Sequence, residues 1–113
     1  MKYHPSVSRD HLVKKGPAAI AMMVASEFYR ASNRCSHEDN VISAYHRARE
    51  LMGVLETLPL PDAVCQNLKS CYERSTASEL MVKDRLAPDF VKKIATELAD
   101  AFNRAATELS PKL

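Results

Sequence analysis

Apolar residues recur every three to four positions along four segments of the chain, the spacing of one face of an α-helix. The first segment follows Gly16 and has a proline at its first helical position, where the missing backbone N–H is no loss. We predict a helix from Pro17 to about Arg34. Its apolar stripe consists of Ile20, Met23, Val24, Phe28 and Ala31.

The second segment opens with an N-terminal capping signature. Ser36 can cap the helix, and Glu38 and Asp39 would lie in the first turn, where carboxylates interact favourably with the helix dipole. The predicted helix ends at about Thr57. Its broad apolar stripe consists of Val41, Ala44, Tyr45, Ala48, Leu51, Met52 and Leu55.

Prolines separate the second segment from the third. Pro59 and Pro61 end the second helix, and Asp62 follows in the first turn of a third helix that we expect to reach Val82. The short connection predicts that these two helices are antiparallel neighbours. Residues 75–78, Ser-Thr-Ala-Ser, favour a helix only weakly, so packing must stabilise the third helix there.

The fourth segment has the clearest helical period. Pro88 and Asp89 repeat the entry signal, and apolar positions then recur for five turns to Leu109. Residues 1–15 show no sustained period, and we expect a loose, flexible N-terminal arm. The sequence therefore predicts an all-α protein with an antiparallel four-helix bundle over residues 16–113.

Composition supports a single helical domain and excludes several functional classes. The 113 residues are 46% apolar but only 6% aromatic, with two glycines and no tryptophan. The net charge is +2 and the signs are mixed along the chain, so no electrostatic footprint for nucleic acid is present. The longest nearly uncharged stretch, residues 16–26, is much shorter than the roughly 20 residues that span a bilayer. We therefore expect a cytoplasmic protein without membrane insertion.

The residues that most often carry chemistry do not combine into a site. Cys65 and Cys71 would lie about 240° apart on one helix, and with Cys35 they fit no zinc spacing, so we interpret the cysteines as reduced small hydrophobes. His46 and Glu50 share a helix face as a base and its orienting carboxylate might, but a solvated pair is the simpler interpretation. Phosphate-binding loops and nucleophile elbows are absent from the sequence. We expect no cofactor, no metal and no enzymatic activity.

The predicted helices carry more apolar side chains than a narrow core needs. Ile42 lies about 100° from Val41 on the second helix, and Tyr72 lies beside the apolar line of the third. Met and Tyr at such positions suit an amphipathic partner helix, because Met adapts its shape and Tyr keeps its hydroxyl hydrated. The expected partner-binding groove is lined by Met23, Ile42, Tyr45, Met52, Leu68 and Tyr72.

Several stretches resemble the flagellin-specific export chaperone family. Pro17 opens the first helix as in that family, and residues 48–55, Ala-Arg-Glu-Leu-Met-Gly-Val-Leu, are similar to its alanine, paired aliphatics and Glu-Leu step. Asn67-Leu68, with Tyr72 four residues after the leucine, stands in the place of an Asn-Leu-x-x-Leu-Tyr element. Asp100-Ala101-Phe102 lies where the family has a charged residue, alanine and tryptophan. The order and spacing cover nearly the whole chain.

The chain departs from the family pattern in two places. Residues 23–27 read Met-Val-Ala-Ser-Glu where Met-Leu-Tyr-Asp-Gly is usual, so the tyrosine and the glycine are missing. Between Tyr72 and Asp100 the usual Arg-Leu and Ala-Asn pairs are poorly kept.

The resemblance implies a cytosolic helical bundle that holds the C-terminal segment of flagellin and prevents its polymerisation before flagellar secretion. A component of the export gate would be a second partner. The resemblance also implies that Tyr3, in the N-terminal arm, covers part of the groove until the substrate displaces it.

Two other functions fit parts of the sequence. Residues 11–16, His-Leu-Val-Lys-Lys-Gly, resemble the His-x-Leu-Lys-Gly stretch of histidine phosphotransfer domains, in which the histidine lies in mid-helix on an exposed face. Pro17 disfavours helical geometry in the residue before it, which argues against that geometry for His11. A helical subunit of a larger assembly, with its apolar face covered by another chain, is the third possibility.

Overall fold

The computed structural model describes residues 8–34, 37–83 and 88–110. Over these residues the protein is all-α, as predicted, and contains five helices and no strand. The helices are α1 (Arg9–Lys15), α2 (Pro17–Asn33), α3 (Glu38–Glu56), α4 (Asp62–Lys83) and α5 (Pro88–Leu109).

The capping and proline signals place the helix ends well. Pro17 and Pro88 are the first residues of α2 and α5, as predicted. Helix α3 begins one residue after His37, whose extended backbone occupies the N-cap position, while the predicted cap Ser36 lies outside the described residues. At the other end of α3, the Thr57 hydroxyl donates to the Val54 carbonyl at 2.7 Å.

Helix α1 corrects the expected flexible arm for residues 9–15. The Ser8 hydroxyl accepts a hydrogen bond from the His11 backbone N–H at 3.2 Å, and Leu12 is completely buried. Gly16 then adopts φ 88°, a left-handed conformation that suits glycine and separates α1 from α2. A seven-residue helix is too short to show an apolar period and depends on packing, so the pattern could not reveal it. The first seven residues of the predicted arm, Tyr3 among them, lie outside the described residues.

The four long helices each pack against two of the others. Helix α2 packs extensively against α3 and α5, while α4 packs against α3 and α5, and α1 rests on α2 and α3. Side-chain pairs run in opposite order along the partners, so α2 is antiparallel to α5 and α3 is antiparallel to α4. These pairs are Tyr29–Asp100 and Ser32–Thr96 for the first two helices, and Tyr45–Ser78 and Arg49–Ser75 for the second two.

The core is mainly apolar, and its buried polar residues lie on α2 (Glu27 and Ser32) and in the second half of α4. The Phe28 ring packs against Tyr45 and Phe102, with centroid distances of 5.7 and 5.8 Å. Helix α4 contributes the apolar side chains of Val64, Leu68 and Cys71 to the interior from its first half, whereas most buried positions in its second half are polar. They are Ser75, Ser78 and Glu79. The weak stretch 75–78 is therefore helical, and its inward serines take part in hydrogen bonds.

Within the described part of the chain, we find no helix with the length and apolar character needed to cross a membrane.

Candidate functional site

The structure separates the six residues that we expected to line one groove. Tyr45 and Met52 are completely buried, which corrects their expected place on an accessible surface. Their helix α3 is covered by both α2 and α4, so its broad apolar stripe serves two interfaces. Met23 and Ile42 are half-buried against the core, on α2 and α3.

The two remaining predicted residues lie on α4. Leu68 is 4% exposed and Tyr72 is 41% exposed. Only Leu68, of the six, lines the open groove that the structure shows between α4 and α5. Of the six expected residues, Tyr45 and Met52 are thus inaccessible to a partner, and the other five do not line this groove together with Leu68.

This α4–α5 groove has a volume of about 230 Å³. It lies between the first half of α4 and the last half of α5, next to the end of α3. Its apolar lining consists of Leu55, Val64, Leu68, Cys71, Ala101, Phe102 and Ala105, and its polar lining consists of Asn67, Ser70, Arg74, Arg104 and Glu108.

Small side chains on the facing helices create the groove. Ala101 and Ala105 are four residues apart on α5 and therefore share one face, and Ser70 and Cys71 line the groove from α4. Larger residues at these positions would fill the space between the helices. The pair of alanines was the sequence signal that could have located the groove, because the other apolar positions of α5 predicted only a packed face.

Charges of both signs border the α4–α5 groove, from Arg74, Arg104 and Glu108. Arg74 forms an ion pair with Glu97 of α5 in which both side chains are 45% exposed. Arg104 is exposed on α5, and no ion pair of Arg104 occurs among the described residues. Burial raises the pKa of the Cys71 thiol, and the nearby charges of Arg74 and Arg104 only partly oppose this effect. Cys71 therefore acts as a small apolar side chain in the groove.

A second polar cluster, the α3–α4 seam, consists of Tyr45, His46 and Arg49 on α3 and Ser75, Ser78, Glu79 and Lys83 on α4. Glu79 is at its centre and only 8% exposed. Its carboxylate is bonded to the Arg49 guanidinium and lies 3.2 Å from His46 Nε2 and 3.1 Å from Lys83 Nζ. His46, which we interpreted as one half of a solvated pair, thus faces a carboxylate on the next helix.

The environment of Glu79 keeps this group ionised. Burial by itself raises the pKa of the carboxyl, but the hydrogen bonds from Arg49 and Lys83 and the positive charges of Arg49 and His46 outweigh it, so the pKa is lowered overall. The Tyr45 and Ser78 hydroxyls share a hydrogen bond of 2.7 Å, and burial is the main cause of the raised pKa of Tyr45. The seam is a satisfied structural network between two helices.

Glu27 of α2 has a similar structural role. It is 6% exposed and accepts hydrogen bonds from Arg47 Nε at 2.8 Å and Arg30 Nη1 at 3.2 Å. Arg47 belongs to α3, so this carboxylate joins α2 to α3. Among the described residues, no three His, Cys, Asp or Glu side chains are grouped so that they could hold a metal ion.

His11 is exposed in the middle of α1. The residues before Gly16 are helical, contrary to the geometry that we expected from Pro17, because Gly16 alone takes the non-helical conformation. Helix α1 packs on α2 and α3, whereas the groove lies between α4 and α5.

Comparison of the chain with protein-family models, curated proteins and solved structures gave no match.

Proposed function

We propose that the protein is a cytoplasmic export chaperone, an antiparallel four-helix bundle that binds an amphipathic helical segment in the α4–α5 groove. The partner implied by the family resemblance is the C-terminal segment of flagellin, held before flagellar secretion. The observation that carries the proposal is the open groove between α4 and α5, whose lining combines apolar and exposed polar side chains.

Two elements of the resemblance meet at this groove. Asn67 and Leu68 come from the Asn-Leu element on α4, and Ala101 and Phe102 come from the Asp-Ala-Phe element on α5. These elements are about 30 residues apart in the sequence, and the fold makes them opposite walls of one site. A partner's apolar side chain in the groove would contact both walls.

Gel filtration with the C-terminal segment of the flagellin encoded in the same genome tests the proposal. We expect a one-to-one complex. Ala105→Phe should fill the groove and weaken the complex about tenfold or more, since a fully buried anchor carries much of the energy of such an interface. Ala77→Phe is the matched control, because Ala77 is exposed on α4 and does not line the groove.

The far-UV circular dichroism of both variants should equal that of the wild type. Failure of the wild type to bind the flagellin segment would overturn the choice of partner. Equal affinity of the Ala105→Phe and Ala77→Phe variants would overturn the choice of groove.

Phosphotransfer at His11 is a second candidate, supported by the exposure of this histidine in mid-helix. Incubation with a phosphorylated response regulator should then give acid-labile phosphate on the wild type and none on the His11→Gln variant. Equal labelling of the two proteins, or labelling of neither, would end this candidacy.

A further inference from the structure

Helix α4 lies outside the best-packed part of the molecule. Among the described residues, every completely buried apolar side chain belongs to α1, α2, α3 or α5. The completely buried residues of α4 are two serines, Ser75 and Ser78. The buried apolar side chains of α4 keep between 4% and 8% of their surface exposed, and they are Val64, Leu68, Cys71 and Val82. Helix α4 therefore covers the core without forming its centre.

The two interfaces of α4 hold it less firmly than fully apolar interfaces would. On the α3 side, α4 makes the hydrogen bonds and ion pairs of the α3–α4 seam, centred on Glu79. On the α5 side, the α4–α5 groove opens between the first half of α4 and the last half of α5. When α4 separates from α3, the polar groups of the seam regain hydrogen bonds with water. Their separation therefore costs less than exposure of an apolar interface of the same size.

The other helices do not need α4 for their contacts with one another. Helix α2 packs extensively against α3 and α5, and α1 rests on α2 and α3. Over the described residues, α4 packs against α3 and α5 but against neither α1 nor α2. Phe28 of α2 makes ring contacts with Tyr45 of α3 and Phe102 of α5. Helix α2 thus keeps α3 and α5 together whether or not α4 is docked.

We propose that α4 is a lid that opens as one unit and uncovers the apolar faces of α3 and α5, while α1, α2, α3 and α5 stay folded. Opening breaks the bonds of Glu79 and the Tyr45–Ser78 hydrogen bond, and it gives solvent full access to Leu55 and Phe102 beside the groove. Such sub-global opening has a lower free energy than global unfolding. The lid needs no partner, so its test is independent of the proposed export function.

Native-state amide hydrogen exchange at pH 7, followed residue by residue by NMR, tests the lid. After correction for intrinsic rates, the inner amides of α4 should exchange at least about tenfold faster than the slowest amides of α2, α3 and α5. The α4 amides should also share one dependence on low concentrations of urea, because a single opening exposes all of them.

Two variants separate the opening of α4 from global unfolding. Val24→Ala shortens a completely buried side chain of α2. It should accelerate the slowest core amides about tenfold or more, because these require global unfolding, and leave the α4 amides within about twofold of the wild type. Glu79→Gln should accelerate the α4 amides about tenfold or more. Glu97→Gln, the matched control at the exposed pair with Arg74, should change them less than about fivefold.

Three results would overturn the lid. The first is α4 amides that exchange as slowly as the slowest amides of α2, α3 and α5. The second is equal acceleration of the α4 and core amides by Val24→Ala, which would show that α4 opens only with the whole fold. The third is α4 exchange that Glu79→Gln leaves unchanged, which would show fraying of the helix without separation of the α3–α4 seam.

Discussion

Loss of the Glu79 carboxylate should destabilise the fold far more than loss of an exposed one. Glu79 is 8% exposed and the Arg49 side chain to which it is bonded is 14% exposed. Glu79→Gln would leave that guanidinium buried without a counter-charge, a change that costs about 3 kcal/mol or more. For a domain of this size, such a loss lowers the Tm by roughly 10–15 °C.

Urea unfolding at pH 7, followed by circular dichroism at 222 nm, measures the free energy of unfolding. Glu97→Gln is the matched control, since Glu97 also pairs with an arginine on the neighbouring helix but is 45% exposed. We expect the Glu97→Gln variant to lose less than about 1 kcal/mol of unfolding free energy. The slope of the free energy against urea should be the same for both variants, because the surface exposed on unfolding does not change.

A double variant separates the charge from the packing. Arg49→Leu/Glu79→Leu removes both charges and fills the space with apolar atoms, so it should be more stable than the Glu79→Gln variant. Equal losses for Glu79→Gln and Glu97→Gln would refute the reasoning from burial. The single variants Arg49→Leu and Glu79→Leu complete the comparison. If the loss of unfolding free energy in the double variant equals the sum of the losses in these two, the two charges act independently.

Three further predictions concern the same fold. Because the pKa of Glu79 is lowered in the folded state, its stabilising effect should be complete above its ordinary value of about 4.5 and should disappear as the pH falls through the folded value, which urea unfolding at several pH values would show. Tyr45→Phe should lose about 1 kcal/mol, because a buried serine on α4 loses its partner, whereas Tyr72→Phe at an exposed tyrosine should be neutral; thermal unfolding compares the two. Leu12→Ala should lose about 2 kcal/mol or more through the detachment of α1, and Val13→Ala, on its exposed side, should change the Tm little; equal Tm values would contradict the role of Leu12 as the anchor.

The local signals in the sequence were sufficient to predict the four long helices. Pro17 and Pro88 mark helix starts that need no tertiary information, because the constraint on φ belongs to the proline ring. The apolar stripe of α5 likewise depends only on helical spacing. Helix α1 could not be found in this way, since its stability depends on one buried side chain, Leu12, and on the packing of α1 against α2 and α3.

The position of the α4–α5 groove could not be predicted from the sequence. An apolar stripe indicates that a helix face is buried, but it does not show which neighbouring helix buries it. Tyr45 and Met52 lie on α3, which α2 and α4 cover. The space in the groove depends on which small residues come together from two helices, here Ala101 and Ala105 of α5 and Cys71 of α4. That meeting is a property of the packed fold and cannot be read from either helix alone.

The α3–α4 seam also determines how far α4 can slide. A shift by one helical turn, about 5.4 Å, would bring either Lys83 or Ser75 to the level that Glu79 now occupies opposite Arg49. In the first case the Lys83 ammonium would face the Arg49 guanidinium. In the second case the largely buried Arg49 guanidinium would face the neutral Ser75 hydroxyl. Charge at the α3–α4 seam thus helps to fix the alignment of α4 along the molecule, in addition to the apolar packing of Leu68, Cys71 and Val82.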